Sequence, residues 1–192
     1  LGLALVAAAA LAVLAEPAVA VVYERGRFGS ADTQAVAAIL RIFACAVPAW
    51  VAQQIAVRAF FARDDTWRPM LIGTVIALAA IPLYRALGPR FGAGGLAAAG
   101  VVGMSVNLLL TLAVARWLHG APRLRVLALS LVRSGAAAAG GAAAALAVAH
   151  SVTPPGGAFG RLAAEGVACA AAWALGIAAF GDAATRASLR RI

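Results

Sequence analysis

Lysine is absent from the 192 residues, and seven acidic side chains stand against sixteen arginines. The net charge is therefore +9. A nucleic-acid binder of this charge would cluster its arginines in one patch. Here they fall mostly at the ends of apolar runs, so no nucleic-acid partner is expected. A lysine-free chain rich in Ala, Gly and Arg also has a bland source, a GC-rich genome. Cysteine is scarce: Cys45 and Cys169 lie inside apolar runs with no CxxC spacing, so neither a disulfide framework nor a metal site follows. Charged residues are only 12% of the chain, against about 25% in a soluble domain.

Catalytic patterns are missing as well. There is no HExxH, GxSxG, P-loop or paired Cys/His set, and His119 and His150 sit in different connections. The chain reads as a non-enzyme with no cofactor and no metal. Without an ATP motif, any transport would draw on an ion gradient or a partner. No basic leader precedes the first apolar run, so that run is not read as a signal peptide. The chain is expected to be the carboxyl-terminal part of a longer protein.

What remains is oil. Hydrophobic residues make up 64% of the chain, and its mean hydropathy is +0.95. Six apolar segments can be marked, at 1–22, 35–61, 70–87, 94–115, 126–149 and 162–180. Each suits a helix of about 20 residues, the length that crosses hydrocarbon. A helix pairs its own backbone groups, as lipid demands. The expected fold is thus an all-α, polytopic membrane helix bundle with six transmembrane helices. Pro17 is expected to kink the first helix and Pro48 to break the second. Ser30 or Asp32 is expected to cap the second; Asp64, Asp65 or Thr66 the third, with Pro69 in its first turn.

Arginine counting sets the orientation. If the first segment runs outward, the inner connections hold Arg63, Arg68, Arg116, Arg123, Arg125, Arg186, Arg190 and Arg191. Five arginines then lie outside: Arg25, Arg27, Arg85, Arg90 and Arg161. Eight against five favours a cytoplasmic carboxyl terminus. Tyr23, Trp67, Tyr84 and Trp117 fall at segment edges, where amphipathic rings sit at the headgroup level.

Polar residues within the spans are the candidate site, because each needs a partner or a wet cavity. Glu16 either faces a cavity or pairs with an arginine. Arg41 and Arg58 either snorkel to opposite interfaces or line a cavity. Gln54 lies one turn before Arg58 on the same helical face. With Gln53 it makes the cytoplasmic half of the second segment its most polar part, which suits a helix lining an aqueous path. Asn107 either bonds across helices or touches ligand. Arg133 is expected to snorkel, and Glu165 to pair with Arg161. Small-xxx-small spacings at Ala99/Gly103, Ala136/Gly140 and Ala137/Gly141 allow close helix approach.

Two stretches carry a family resemblance. Residues 16–33 read EPAVAVVYERGRFGSADT and residues 57–69 read VRAFFARDDTWRP. They resemble the lipid II flippase family, MurJ or MviN, of the multidrug/oligosaccharidyl-lipid/polysaccharide exporter superfamily. Glu16, Pro17, Glu24, Arg25, Gly26, Phe28, Asp32 and Thr33 carry the first motif. Arg58, Ala59, Phe60, Phe61, Ala62, Arg63, Asp65, Thr66 and Pro69 carry the second. The resemblance implies a fourteen-helix fold in two lobes, of which this chain would be helices nine to fourteen. Residues 1–118 would be four helices of the carboxyl-terminal lobe. Residues 119–192 would add two helices forming a lipid-tail groove, and a short cytoplasmic tail. The implied activity moves lipid-linked peptidoglycan precursor from the inner to the outer leaflet of the bacterial cytoplasmic membrane. The implied partners are that lipid-linked cell-wall precursor, membrane lipids and the missing amino-terminal half. Where family members often carry Asn in the third segment, this chain has Ala79, Ala80, Ile81 and Tyr84, so no cation site is expected there. The alternatives are another polysaccharide-lipid or drug exporter of the superfamily, or a non-transporting scaffold with the same fold.

Overall fold

The computed structural model describes residues 2–120, 132, 135, 136, 138–143, 146, 147 and 157–180; among them every regular element is an α-helix. The elements are α1 (Gly2–Val13), α2 (Ala15–Tyr23), α3 (Ser30–Ala44), α4 (Val47–Phe61), α5 (Trp67–His119) and α6 (Gly157–Phe180).

The first expected segment is two helices, bent by 65° at Leu14. The bend lies one turn before Pro17, and the reason is local. Pro17 has no N–H for the Val13 carbonyl, and its ring crowds that oxygen. The break in the second segment sits at Cys45 and Ala46, just ahead of Pro48. There the backbone tightens to i→i+3 bonds, from Cys45 N to Ile42 O (3.1 Å) and from Ala46 N to Phe43 O (2.9 Å). The helix begins at Ser30, five residues before the expected start, because Gly29 supplies an extended N-cap. Neither Ser30 nor Asp32 is that cap. Asp32 instead accepts the Gly29 N–H at 3.0 Å, the reciprocal half of a capping box.

The connection expected over 85–94 is almost entirely helical. Only Gly92 breaks it, at φ 58° and ψ −140°, a region open to glycine alone. Contacts across this point run in opposite senses along the chain. Gly95 faces Leu87, Gly88 faces Leu96, Gly100 faces Tyr84 and Gly103 faces Ala80. The arms 67–91 and 93–119 therefore form an antiparallel hairpin folded at one residue. The second arm ends at Gly120, whose left-handed backbone (φ 66°) closes the helix.

Helix α6 starts five residues before the expected 162 and packs against α2. Most of the fifth expected segment, Arg133 and Ala137 included, lies outside the described residues, as do His150 and the tail 181–192. Those described within 132–147 are helical, and Gly141 lies against the Cys169 carbonyl.

Packing between helices uses small side chains. Ala15, Ala37, Ala97 and Ala99 are buried, with Phe60 and Thr111 as the largest fully enclosed groups. The outward faces carry Trp50, Leu78, Leu109 and Trp117. Apolar bulk outside and small residues inside is the arrangement of a lipid-solvated bundle. Among the described residues, 30–61 and 67–119 are long and apolar enough to cross a membrane, and the bent α1–α2 pair adds a third candidate.

Candidate functional site

The bend between α1 and α2 exposes helix-end carbonyls, and α3 answers them. Arg41 Nη2 lies 3.4 Å from Glu16 Oε2, and Arg41 Nε donates to the Ala12 carbonyl at 3.3 Å. One guanidinium thus holds the carboxylate of α2 and the frayed end of α1. Both side chains remain partly exposed, at 46% and 38%.

The first motif folds into the end of α2, a short loop and the start of α3. Gly26 takes a left-handed turn (φ 63°), which brings the chain back on itself. Tyr23 and Phe28 then meet with ring centroids 6.0 Å apart. Thr33, buried, donates to Glu24 Oε2 at 3.1 Å across the loop, and Arg25 donates to the Val21 carbonyl. A cavity of about 350 Å³ opens beside this loop, lined by Glu16, Glu24, Ser30, Thr33, Gln34 and, from α6, Arg161.

The second motif makes the tight reversal between α4 and α5. Asp64 sits at φ 57°, a conformation Asp tolerates better than most residues. Thr66 is the N-cap of α5 but makes no side-chain capping bond. Asp65 does the polar work: its carboxylate accepts from Arg68 Nη1 at 2.7 Å and from the Arg68 N–H at 3.3 Å. The bond from the Arg68 side chain holds the Asp65 carboxyl below the ordinary carboxylate range. Pro69 is buried in the first turn, and Arg63 is exposed. Phe60 packs edge-on against His119, with centroids 5.4 Å apart.

A third polar place lies deep between α4 and the second arm of α5. Gln53 Nε2 donates to Thr111 Oγ1 at 3.0 Å, and both residues are buried. Gln53 Oε1 and Asn107 Oδ1 are buried without a hydrogen-bond partner among the described residues. The expected pair Gln54 and Arg58 is exposed, on the side of α4 away from Gln53, Ala56 and Phe60. The two neighbouring glutamines therefore divide: Gln53 packs, and Gln54 faces outward.

The structure thus brings Glu16, Glu24 and Thr33 to one cavity, and sets Asn107 one turn from Thr111. It does not bring Gln54 or Arg58 to either place. Glu165 is buried and pairs with Arg161 (3.6 Å), as expected from their spacing. Sequence reasoning left three long-range relationships unassigned. Arg41 is 25 residues from Glu16, Thr111 is 58 from Gln53, and Arg161 reaches the cavity from a distant helix. Only the rule that an intramembrane charge requires a partner points to the first of them.

Comparison with known proteins gives the chain a family. The family model described as lipid II flippase MurJ matches residues 1–165. A protein of Rhizobium meliloti (strain 1021) named "Probable lipid II flippase MurJ" is 39% identical over 115 residues, which is 60% of this chain and 22% of that relative. One of Bdellovibrio bacteriovorus with the same name is 32% identical over 133 residues, covering 68% of this chain and 25% of the relative. A third, of Rhizobium tropici, is 43% identical over 77 residues, 40% of this chain and 14% of the relative. The chain spans about a quarter or less of the length of these curated relatives. With the family model covering more than three-quarters of its residues, the chain belongs to the lipid II flippase MurJ family.

Proposed function

We propose that this chain supplies six membrane passes of a flippase that carries lipid-linked peptidoglycan precursor from the inner to the outer leaflet of the cytoplasmic membrane. The carrying observation is the family match over residues 1–165, which includes both motif loops. Helix length supports the reading. At 1.5 Å per residue, each arm of α5 is roughly 37–40 Å long, and α6 about 36 Å, enough for hydrocarbon of about 30 Å. Counting α1–α2, α3–α4 and the segment 126–149 as well, the reading has six crossings; with the first running outward, its carboxyl terminus lies in the cytoplasm.

In this reading the outward face of α4, with Gln54 and Arg58, meets the cargo path. Glu16 and Asn107 are the other cavity candidates. The amino-terminal half of the protein closes that path from the other side. Segments 126–149 and 162–180 form the apolar groove for the cargo's lipid tail. Transport proceeds by rocking one lobe against the other. The whole protein's test is depletion in its host while outer-leaflet precursor is labelled. Arrest of labelling, restored by the Rhizobium meliloti relative, is the expected result. Precursor that keeps arriving without the protein would defeat the reading.

A further inference from the structure

We propose that the cavity between α2, α3 and the start of α6 binds the zwitterionic head of a phospholipid, a phosphate joined to a primary ammonium as in phosphatidylethanolamine. The two walls of this cavity carry opposite charge. On one side stand Glu24 and Glu16, the latter already paired with Arg41, and on the other Arg161 with Gly157 and Ala158 at the N-terminus of α6. Glu24 has no ion pair among the described residues; Thr33 occupies one of its oxygens, leaving the other for an ammonium donor. Arg161 meets Glu165 through Nε, which leaves its terminal donors for phosphate. The N-terminal amides of a 24-residue helix add to the pull on an anion.

Complementarity selects the ligand class. A headgroup bearing only a phosphate would face the unpaired Glu24 carboxylate, and a bare amine would face Arg161 and the helix dipole. A head carrying both charges satisfies both walls. The volume, about 350 Å³, is near the lower end for ligand cavities, so it suits a headgroup rather than a whole lipid. The lipid's chains have somewhere to lie. Val22, Phe159 and Val167 are exposed apolar groups on the flanking helices. The Tyr23–Phe28 ring pair at the loop marks the level where headgroups sit.

The test uses the full-length protein, purified in detergent and titrated with phosphatidylethanolamine or phosphatidylglycerol of identical chains, with bound lipid counted by native mass spectrometry. The expected preference for phosphatidylethanolamine is about tenfold, the scale of one charge-assisted bond. Glu24→Gln should lower its retention to the phosphatidylglycerol level, and Arg161→Gln should weaken both lipids. Ala20→Leu, which fills the cavity from α2, should do the same without touching a charge. Soluble phosphoethanolamine should displace the lipid, and glycerol 3-phosphate should not. Equal retention of the two lipids by the unaltered protein overturns the proposal whether or not any variant folds. So does full retention by both Glu24→Gln and Ala20→Leu. The readout involves no transport, so it stands or falls apart from the flippase reading.

Discussion

Gln53 and Thr111 join α4 to the second arm of α5 through one buried bond, Nε2 to Oγ1 at 3.0 Å. Their packed neighbours run the same way along both helices, since Phe60 meets His119 two turns further on. α4 thus lies parallel to that arm and antiparallel to the first. The bond fixes the register of a three-helix unit built from small residues, which on their own permit sliding.

Thr111→Val keeps the volume but removes the acceptor of the buried Gln53 Nε2, whose amide oxygen already has no partner among the described residues. The cost of an unpaired buried polar group is about 1–3 kcal/mol. Thermal unfolding of the detergent-solubilised protein should fall accordingly, and Gln53→Leu added to Thr111→Val should recover part of the loss. Strict additivity of the two changes would show that the bond carries no coupling.

The hairpin at Gly92 makes a sharper contrast. A methyl group on Gly95 would collide with the Leu87 carbonyl oxygen and sit 2.9 Å from Phe91 Cβ. Backbone cannot yield there, so Gly95→Ala should push the arms apart at a cost of about 1–3 kcal/mol. A methyl on Gly88 meets only the end of the Leu96 side chain, at 3.0 Å, which can rotate away. There the helix gain of Ala over Gly, about 1 kcal/mol, offsets the contact. Comparable destabilisation by both variants would contradict the assigned pairing of the arms.

Much of this architecture was legible in the amino-acid sequence, because hydropathy and breakers are local properties. The apolar runs, the two proline breaks and the Glu165–Arg161 pair all follow from spacing. The connection 85–94 did not, and the cause is physical. Gly88, Pro89 and Gly92 through Gly95 read as a loop, yet lipid penalises any backbone left unpaired. The chain therefore stays helical up to one residue that only glycine can occupy. The polar partners were illegible for another reason. Nothing in the spacing of Gln53 and Gln54 tells which faces α5; the neighbouring helix decides it. Arg41, open to snorkelling or cavity lining by sequence, instead secures the α1–α2 bend through Glu16 and the Ala12 carbonyl.

The reversal before α5 carries a pH signature. Asp65 titrates below the ordinary carboxylate range because Arg68 donates to it first by side chain and then by backbone. A depressed carboxylate lends stability that is complete above its unfolded pKa, about 3.9, and fades as pH falls through the folded value. The contribution is small, since the Arg68 side chain of the pair is exposed to screening. Carbon-13 titration of the Asp65 carboxyl should therefore give a midpoint below the usual range, and Arg68→Gln should raise it. A midpoint that ignores Arg68→Gln would remove the guanidinium as the cause.

Arg58 tests the proposed cargo path. It is exposed on α4, one turn from Gln54, on the face turned away from the packed Gln53, Ala56 and Phe60. Lipid alone is a poor solvent for a guanidinium within a span, unless it reaches headgroups or lines water. Arg133 lies in the fifth segment, where the expected role is snorkelling. If the α4 face lines the path, Arg58→Ala should cut rescue of a depleted host by roughly tenfold or more, the scale of one charge-assisted hydrogen bond to the cargo. Arg133→Ala should rescue nearly as the unaltered protein does. Membrane levels of both variants must match for the comparison to count. Equal rescue by the two at equal abundance would place Arg58 at the lipid interface and move the path to another face of the bundle.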